Sequence, residues 1–277
     1  MAKPMVDCCE RTRGRPLAPG GGALARRVNE LYHDLQAGEF DRVHAARHRA
    51  ESEFWRARAA PRLRRAGARR GVDLCTGTGF VPGVLLEELP AEATVLCVDL
   101  SAGALDVARR RLERFAGRVS FHAGDVAAVP LPDGAADWVS LNAGLHHIPS
   151  PAGVLAEVDR LLRPGGLFLL GHEPNAAFFR CRFLTAMERL IWHGFWYLSP
   201  ARNLRRLARC LGRRVEAYED REHLDAINRQ ILAEGLAEAP LALDELRAIV
   251  DVHTHEDDAP GAAAGFAVDS VRREHFP

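Results

Sequence analysis

Lysine is almost missing from this 277-residue sequence: Lys3 stands alone, and every other basic residue is an arginine. Basic and acidic side chains balance at 37 each, so no global field draws the chain toward nucleic acid or an anionic membrane. No apolar run approaches the ~18 residues that a membrane helix needs. The first residues lack the apolar centre of a secretory signal. The six cysteines, Cys8, Cys9, Cys75, Cys97, Cys181 and Cys210, form neither CxxC metal pairs nor a small disulfide framework. A reducing cytoplasm is the expectation. His253, His255 and Asp258 form a lone polar cluster that reads as solvated loop rather than as a metal site, and no metal is expected. There is no internal repeat.

What the chain does have is an alternation of short apolar strands with helical segments. Residues 1–22, with Pro4, Pro16, Pro19 and three consecutive glycines, read as a flexible tail. Residues 23–70 read as an N-terminal helical lid segment. Leu24, Val28, Leu31 and Leu35 share one helix face, and a second helix is expected over about 51–65. Ten arginines fall between Arg42 and Arg70, a run read as solvated helix surface rather than as a nucleic-acid site. Residues 71–173 read as an α/β core. Strands are expected at 71–75, 94–99, 119–123, 136–142 and 167–170, with helices between them. Residues 174–277 read as a helical cap and the C-terminal completion of the core. Its aromatic cluster includes His193, Trp196 and Tyr197, expected to line an apolar substrate pocket. The fold class that follows is α/β, a Rossmann-like, mainly parallel sheet with helices on both faces.

The chemistry-bearing stretch is Gly71 to Phe80. An apolar run carrying Asp73 leads into Cys75-Thr76-Gly77-Thr78-Gly79, the order strand, tight turn, helix. Glycine there allows positive φ and lets a ligand come close. The next strand ends in Asp99, twenty residues after Gly79, where an acid is placed to accept from ribose hydroxyls. A dinucleotide loop needs a third glycine three residues after the second. Counted from either pair, that position is Pro82 or Phe80. A nucleoside cofactor without a pyrophosphate fits better.

These residues resemble the class I S-adenosylmethionine-dependent methyltransferases, most closely their type 11 small-molecule branch. Val72-Asp73-Leu74-Cys75-Thr76-Gly77-Thr78-Gly79 resembles the cofactor loop, with Cys75 standing where the family usually has its first glycine. Val98-Asp99-Leu100-Ser101 resembles the ribose-binding strand end. Gly124-Asp125-Val126 resembles the adenine-side turn, and Leu162-Arg163-Pro164-Gly165-Gly166 the approach to strand five. The resemblance covers about residues 70–173. It implies S-adenosyl-L-methionine as cofactor, held by Asp73, Cys75, Thr76, Gly77, Gly79, Asp99, Leu100, Ser101, Asp125, Val126 and Asn142, with Tyr32 and His33 closing over the methionyl end. The family sheet ends in an antiparallel hairpin. Residues 248–254 are the expected sixth strand, and nothing after them reads as a seventh, so the chain stops short or the edge is rebuilt.

The expected reaction is methyl transfer to a small, bulky, partly apolar acceptor. Such a displacement needs alignment, exclusion of water and, for a protonated nucleophile, a base. His146 and His147 after strand four are the candidate bases, with Glu173 as a third catalytic candidate and His172 beside it as a substrate contact. An RNA methyltransferase and a non-catalytic cofactor-binding protein are the alternatives. Asn142-Ala143-Gly144-Leu145 lacks the Pro-Pro-aromatic pattern of amino-adenine methylases.

Overall fold

The computed structural model describes residues 21–148, 151–173, 218–250 and 271–272. Six strands form one sheet: β1 (Arg70–Leu74), β2 (Thr94–Asp99), β3 (Val119–Ala123), β4 (Ala136–Asn142), β5 (Leu162–Gly171) and β6 (Val271–Arg272), in the order β3-β2-β1-β4-β5-β6. The first five are parallel and β6 runs antiparallel to β5. The order reverses between β1 and β4, so a crevice opens at their carboxyl ends, where ligands of open α/β sheets bind.

Alternation along the strands feeds two cores. Val72, Leu74, Val98, Val139 and Leu141 pack against α5 (Pro151–Leu161) through Val154, Val158 and Leu161. The opposite face carries Trp138 and Cys97, covered by α3 (Phe80–Glu88), α4 (Ala102–Arg111) and the short α2 (Ala60–Arg65). Gly71 lies opposite Trp138 in the ladder, and a Cβ on it would sit 2.1 Å from the indole ring. Only glycine leaves room for that tryptophan. At the foot of β4, Asp137 accepts from the amides of Arg69 and Arg70 at 2.7 and 2.8 Å and from Arg163 Nε at 2.6 Å. These donors hold its carboxyl below the usual range against burial, which pushes the other way.

Three expectations change. The N-terminal segment is one helix, α1 (Gly21–Phe54), running through a wide π-helical turn at Trp55–Ala59 into α2. It starts at Gly21, inside the expected tail. The expected sixth strand at 248–254 begins within helix α7 (Leu243–Val250), and its last four residues lie outside those described. The antiparallel strand is instead Val271–Arg272. β5 also starts earlier than expected, at Leu162, because Leu162 pairs with Ala136 before an irregularity in the register. The aromatic cap at 176–213, with His193, Trp196 and Tyr197, lies outside the described residues.

α1 has two buried sides. Val28, with Leu24 and Leu31 around it, packs on α6 (Tyr218–Ala233) and α7 through Ile227, Ile231, Leu246 and Val250. The other side lies over the carboxyl ends of the strands. Several arginines of the basic run are occupied within the fold: Arg56 reaches Glu87 at 2.6 Å and Arg64 reaches Glu88 at 3.4 Å.

Candidate active site

The loop after β1 turns through backbone that side chains rarely adopt. Cys75, Gly77 and Gly79 have φ of +52, +53 and +80°. Ala143 after β4 and His172 after β5 share this left-handed geometry, each at φ +53°. These three are the non-glycine residues of positive φ among those described, and all end neighbouring strands at the same rim. Strain of this kind gathers at functional sites.

The rim surrounds a cavity of about 400 Å³, inside the ~300–1,000 Å³ range of small-molecule sites. Asp99 lines it. One carboxylate oxygen accepts from the Gly77 amide at 2.7 Å and the other from the Ser101 amide at 2.9 Å. The loop after β1 and the end of β2 are thereby locked together. Burial raises the Asp99 pKa, the two amides pull it back, and the nearby Asp34 raises it again. Below it Asp73, 2% exposed, accepts from Ser140 Oγ at 2.5 Å and Thr76 Oγ1 at 2.8 Å. Burial outweighs these bonds and pushes its carboxyl up to about 7.

Most sequence-derived cofactor residues meet in this cavity. Asp73, Cys75, Thr76 and Gly77 come from the first turn, and Asp99, Leu100 and Ser101 from the end of β2. Asp125 and Val126 line one flank, and Asn142 another. Two do not line it. Gly79 sits at the start of α3, where a Cβ would lie 3.0 Å from Leu112 Cδ1 and 3.1 Å from Ala108 Cβ; its role is close packing on α4. Tyr32 packs in the apolar cluster of α1, α6 and α7, and its neighbour His33 faces the cavity instead.

Cys75 fits without its family's glycine because Gly144 makes room. A Cβ on Gly144 would stand 2.4 Å from Cys75 Cβ and 2.7 Å from Sγ. Burial raises the thiol pKa well above its ordinary value, and the surrounding carboxylates add to this.

The histidines after β4 divide. His146 holds Glu173 by Nδ1 at 2.9 Å, while the other oxygen of Glu173 accepts from the amides of Gly144 and Leu145 at 2.6 and 2.8 Å. Neither His146 nor Glu173 lines the cavity. His147 does, and its Nδ1 lies 2.7 Å from the Val250 carbonyl of α7. A carbonyl can only accept, so Nδ1 carries the proton in the neutral ring and Nε2 keeps the basic lone pair. The His147 ring stands 4.0 Å from that of His146 and 4.9 Å, edge-on, from that of His33. Burial, then the neighbouring imidazoles of His147 and His146, push His33 down to about 3. His172 is turned outward, 43% exposed, with Nδ1 2.9 Å from Glu51 of α1.

What sequence reading missed is the polar side of α1. Arg26, Asn29, His48 and Glu51 line the cavity beside the expected His33. Arg26 reaches Asp125 at 2.8 Å. Asp34 accepts from Ser101 Oγ at 2.5 Å and the Gly103 amide at 2.8 Å, and Asp41 from Thr78 Oγ1 at 2.6 Å. The spacing of 26, 34 and 41 keeps these ties on one side of the helix.

The features together define a nucleoside-cofactor α/β domain: a reversing parallel sheet, a loop of left-handed backbone, and an acid presenting both oxygens at the crevice. Among known families, the methyltransferase domain model matches residues 72–170. The chain is 34% identical over 146 residues to a ubiquinone/menaquinone biosynthesis C-methyltransferase of Methylobacterium nodulans, a match covering 52% of this chain and 58% of that protein. It is 37% identical over 120 residues to a demethylmenaquinone methyltransferase of Thermus thermophilus, covering 43% and 54%. A solved SAM-dependent methyltransferase from Aquifex aeolicus is 20% identical with a TM-score of 0.36, covering 39% of this chain and 60% of that one. The chain therefore spans a little over half the length of these curated relatives. Residues 72–170 are thus similar to a methyltransferase domain, and the cofactor that this similarity implies is S-adenosylmethionine.

The site suits that cofactor. Asp99 keeps further lone pairs for vicinal hydroxyls beyond those taken by the two amides. Asp125 and Val126 offer polar and apolar surface to one side, and α1 covers the crevice. Among the described residues no group of His, Cys, Asp and Glu forms a metal centre, and no helix is long and apolar enough to cross a membrane.

Proposed function

We propose that this protein transfers a methyl group from S-adenosylmethionine to a small, partly apolar acceptor. The observation that carries this reading is Asp99, with both carboxylate oxygens fixed by amides from two strand ends at a cavity whose wall also carries His147. The cofactor supplies an activated methyl group on a good leaving group. The chain aligns the acceptor, excludes water and takes a proton from the acceptor's O–H, N–H or enolisable C–H. In this reading His147 Nε2 receives that proton, because the Val250 carbonyl sets its tautomer. His146 and Glu173 are positioning residues: the carboxylate orients the His146 ring, which stands against His147, and it anchors the turn carrying both.

The imidazolium that forms on His147 belongs to the turn that Glu173 anchors through the Gly144 and Leu145 amides. It is not opposed by His33, whose lowered pKa keeps it neutral near pH 7. Phe40, Phe80, Val126 and Ile148 give the cavity apolar surface, which supports an acceptor with a hydrophobic body. The quinone-pathway names of the relatives point the same way.

The test is transfer of labelled methyl from S-adenosylmethionine to a panel of phenols, hydroquinones and amines, run with wild type and His147→Gln. The reading predicts turnover of at least one acceptor by wild type and a loss of about 10²–10⁴-fold in the variant. Equal turnover by His147→Gln removes the base assignment. Cofactor binding without turnover of any acceptor favours a non-catalytic binding protein.

A further inference from the structure

A second cavity, of about 330 Å³, opens between α1, α3 and the end of α4. It shares only His48 and Phe80 with the crevice. Their rings stack with centroids 4.4 Å apart and planes 10° from parallel, a partition between the two spaces. The chemistry changes across it. The crevice is walled by Asp73, Asp99 and Asp125, whereas the second cavity is lined by Arg49, Arg56, Arg111 and Arg114.

Two carboxylates share that lining, Asp41 and Glu87, and they do not use up the four guanidinium groups. Glu87 takes two of them: one oxygen accepts from Arg56 Nη2 at 2.6 Å and the other from Arg114 Nη2. Arg111 reaches Asp41 at 3.2 Å, and the Thr78 carbonyl and hydroxyl at 3.3 and 3.2 Å, all through Nη1. Its Nε and Nη2 have no partner among the described residues. Arg49 is exposed, and its guanidinium has no partner among them either. Glu88, outside the lining, lies 3.7 Å from Arg56 Nε and is shared with Arg64. The lining therefore carries two positive charges in excess, with open guanidinium edges from two directions. Such edges match the oxygens of a phosphate in paired hydrogen bonds, and a dianion balances the charge.

We infer that this cleft is a binding site for a phosphate group, separate from the cofactor crevice and held by Arg49, Arg111 and Arg114. Arg111 also holds the Thr78 carbonyl, so an occupant would rest against the side chain that braces the loop after β1. The inference stands apart from the cofactor reading, because Arg49, Arg111 and Arg114 all lie outside the crevice.

Titration calorimetry with inorganic phosphate, at ionic strength held constant with potassium chloride, tests it. Wild type is expected to bind one phosphate per chain. Arg49→Gln breaks no bond within the described fold, so its effect reads binding rather than folding. It and Arg114→Gln should each weaken phosphate by about 10-fold or more. Arg229→Gln removes the same charge from the exposed side of α6 and should stay within about twofold of wild type. Phenyl phosphate, run beside inorganic phosphate, separates the sources of the group. Tighter binding of the ester marks a phosphorylated small molecule as the occupant, and equal or weaker binding marks free phosphate; either upholds the site. No saturable binding by wild type overturns the inference, as does unchanged affinity in Arg49→Gln. An equal loss in Arg229→Gln overturns it too, since net charge alone would then account for the binding.

Discussion

The fit between Cys75 and Gly144 gives a sharp prediction about the loop under the cofactor site. Gly144 has φ −128° and ψ −26°, outside the left-handed region that would demand glycine. The obstacle to Gly144→Ala is therefore steric: its Cβ would lie 2.4 Å from Cys75 Cβ and 2.7 Å from Sγ. Sγ could rotate away, but Cβ, the nearer atom, is fixed by the Cys75 backbone, so the loop after β1 must shift. Overpacking of this kind costs ~1–3 kcal/mol. Cys75→Gly removes the atoms in conflict. It also relieves left-handed backbone worth ~1–2 kcal/mol, against ~0.5–1 kcal/mol of added chain entropy, so on its own it changes stability little. In the double variant the Gly144→Ala penalty should drop to ~0.5 kcal/mol or less, the limit for independent sites. Urea unfolding of all four proteins, with unchanged m-values, measures the coupling directly. The same Gly144→Ala cost in both backgrounds would refute the steric reasoning.

Further outcomes follow from the histidine cluster and the buried acids. His33 titrates near 6.5 when unfolded and is pushed to about 3 when folded. The unfolded chain takes up the extra proton in that window, so stability is lost as pH falls from 6.5 toward 3, by at most ~1.4 kcal/mol per unit. Asp73 has the opposite sign: raised from 3.8 to about 7, it makes the folded chain the proton binder, and stability is lost as pH rises across that window. Thermal melts should show Asp73→Asn losing stability on acidification below pH 6.5 more steeply than wild type, and His33→Phe losing it less. Glu173→Gln should slow turnover less than His147→Gln in the methyl-transfer assay, since it alters only the support of His146 and of the Gly144–Leu145 amides.

The sheet was readable because parallel strands buried on both faces are short apolar runs with glycine or acid at their ends, as at Gly71–Asp73 and Thr94–Asp99. Asp99 itself was readable from its distance to the glycine turn. α1 was not, because it buries two sides of different character. Its apolar side, with Val28 at the centre, gave the helical period. Asn29 and Glu51 look like ordinary solvated positions between those residues, and only the fold turns them onto the cavity. Leu35 shows the converse: it shares the apolar spacing yet is 42% exposed. The match of Cys75 to Gly144 spans 69 positions and leaves no local pattern. Likewise the two histidines of one turn differ only through remote partners, Glu173 and the Val250 carbonyl, which no spacing within Leu145-His146-His147 encodes.

The central claim is that Asp99 holds the cofactor, and calorimetry of S-adenosylhomocysteine with wild type and Asp99→Ala tests it most directly. Losing a carboxylate that accepts two charge-assisted hydrogen bonds from the ligand should weaken binding at least ~100-fold. A circular dichroism spectrum unchanged from wild type would show the fold intact. Wild-type affinity in Asp99→Ala would contradict the account.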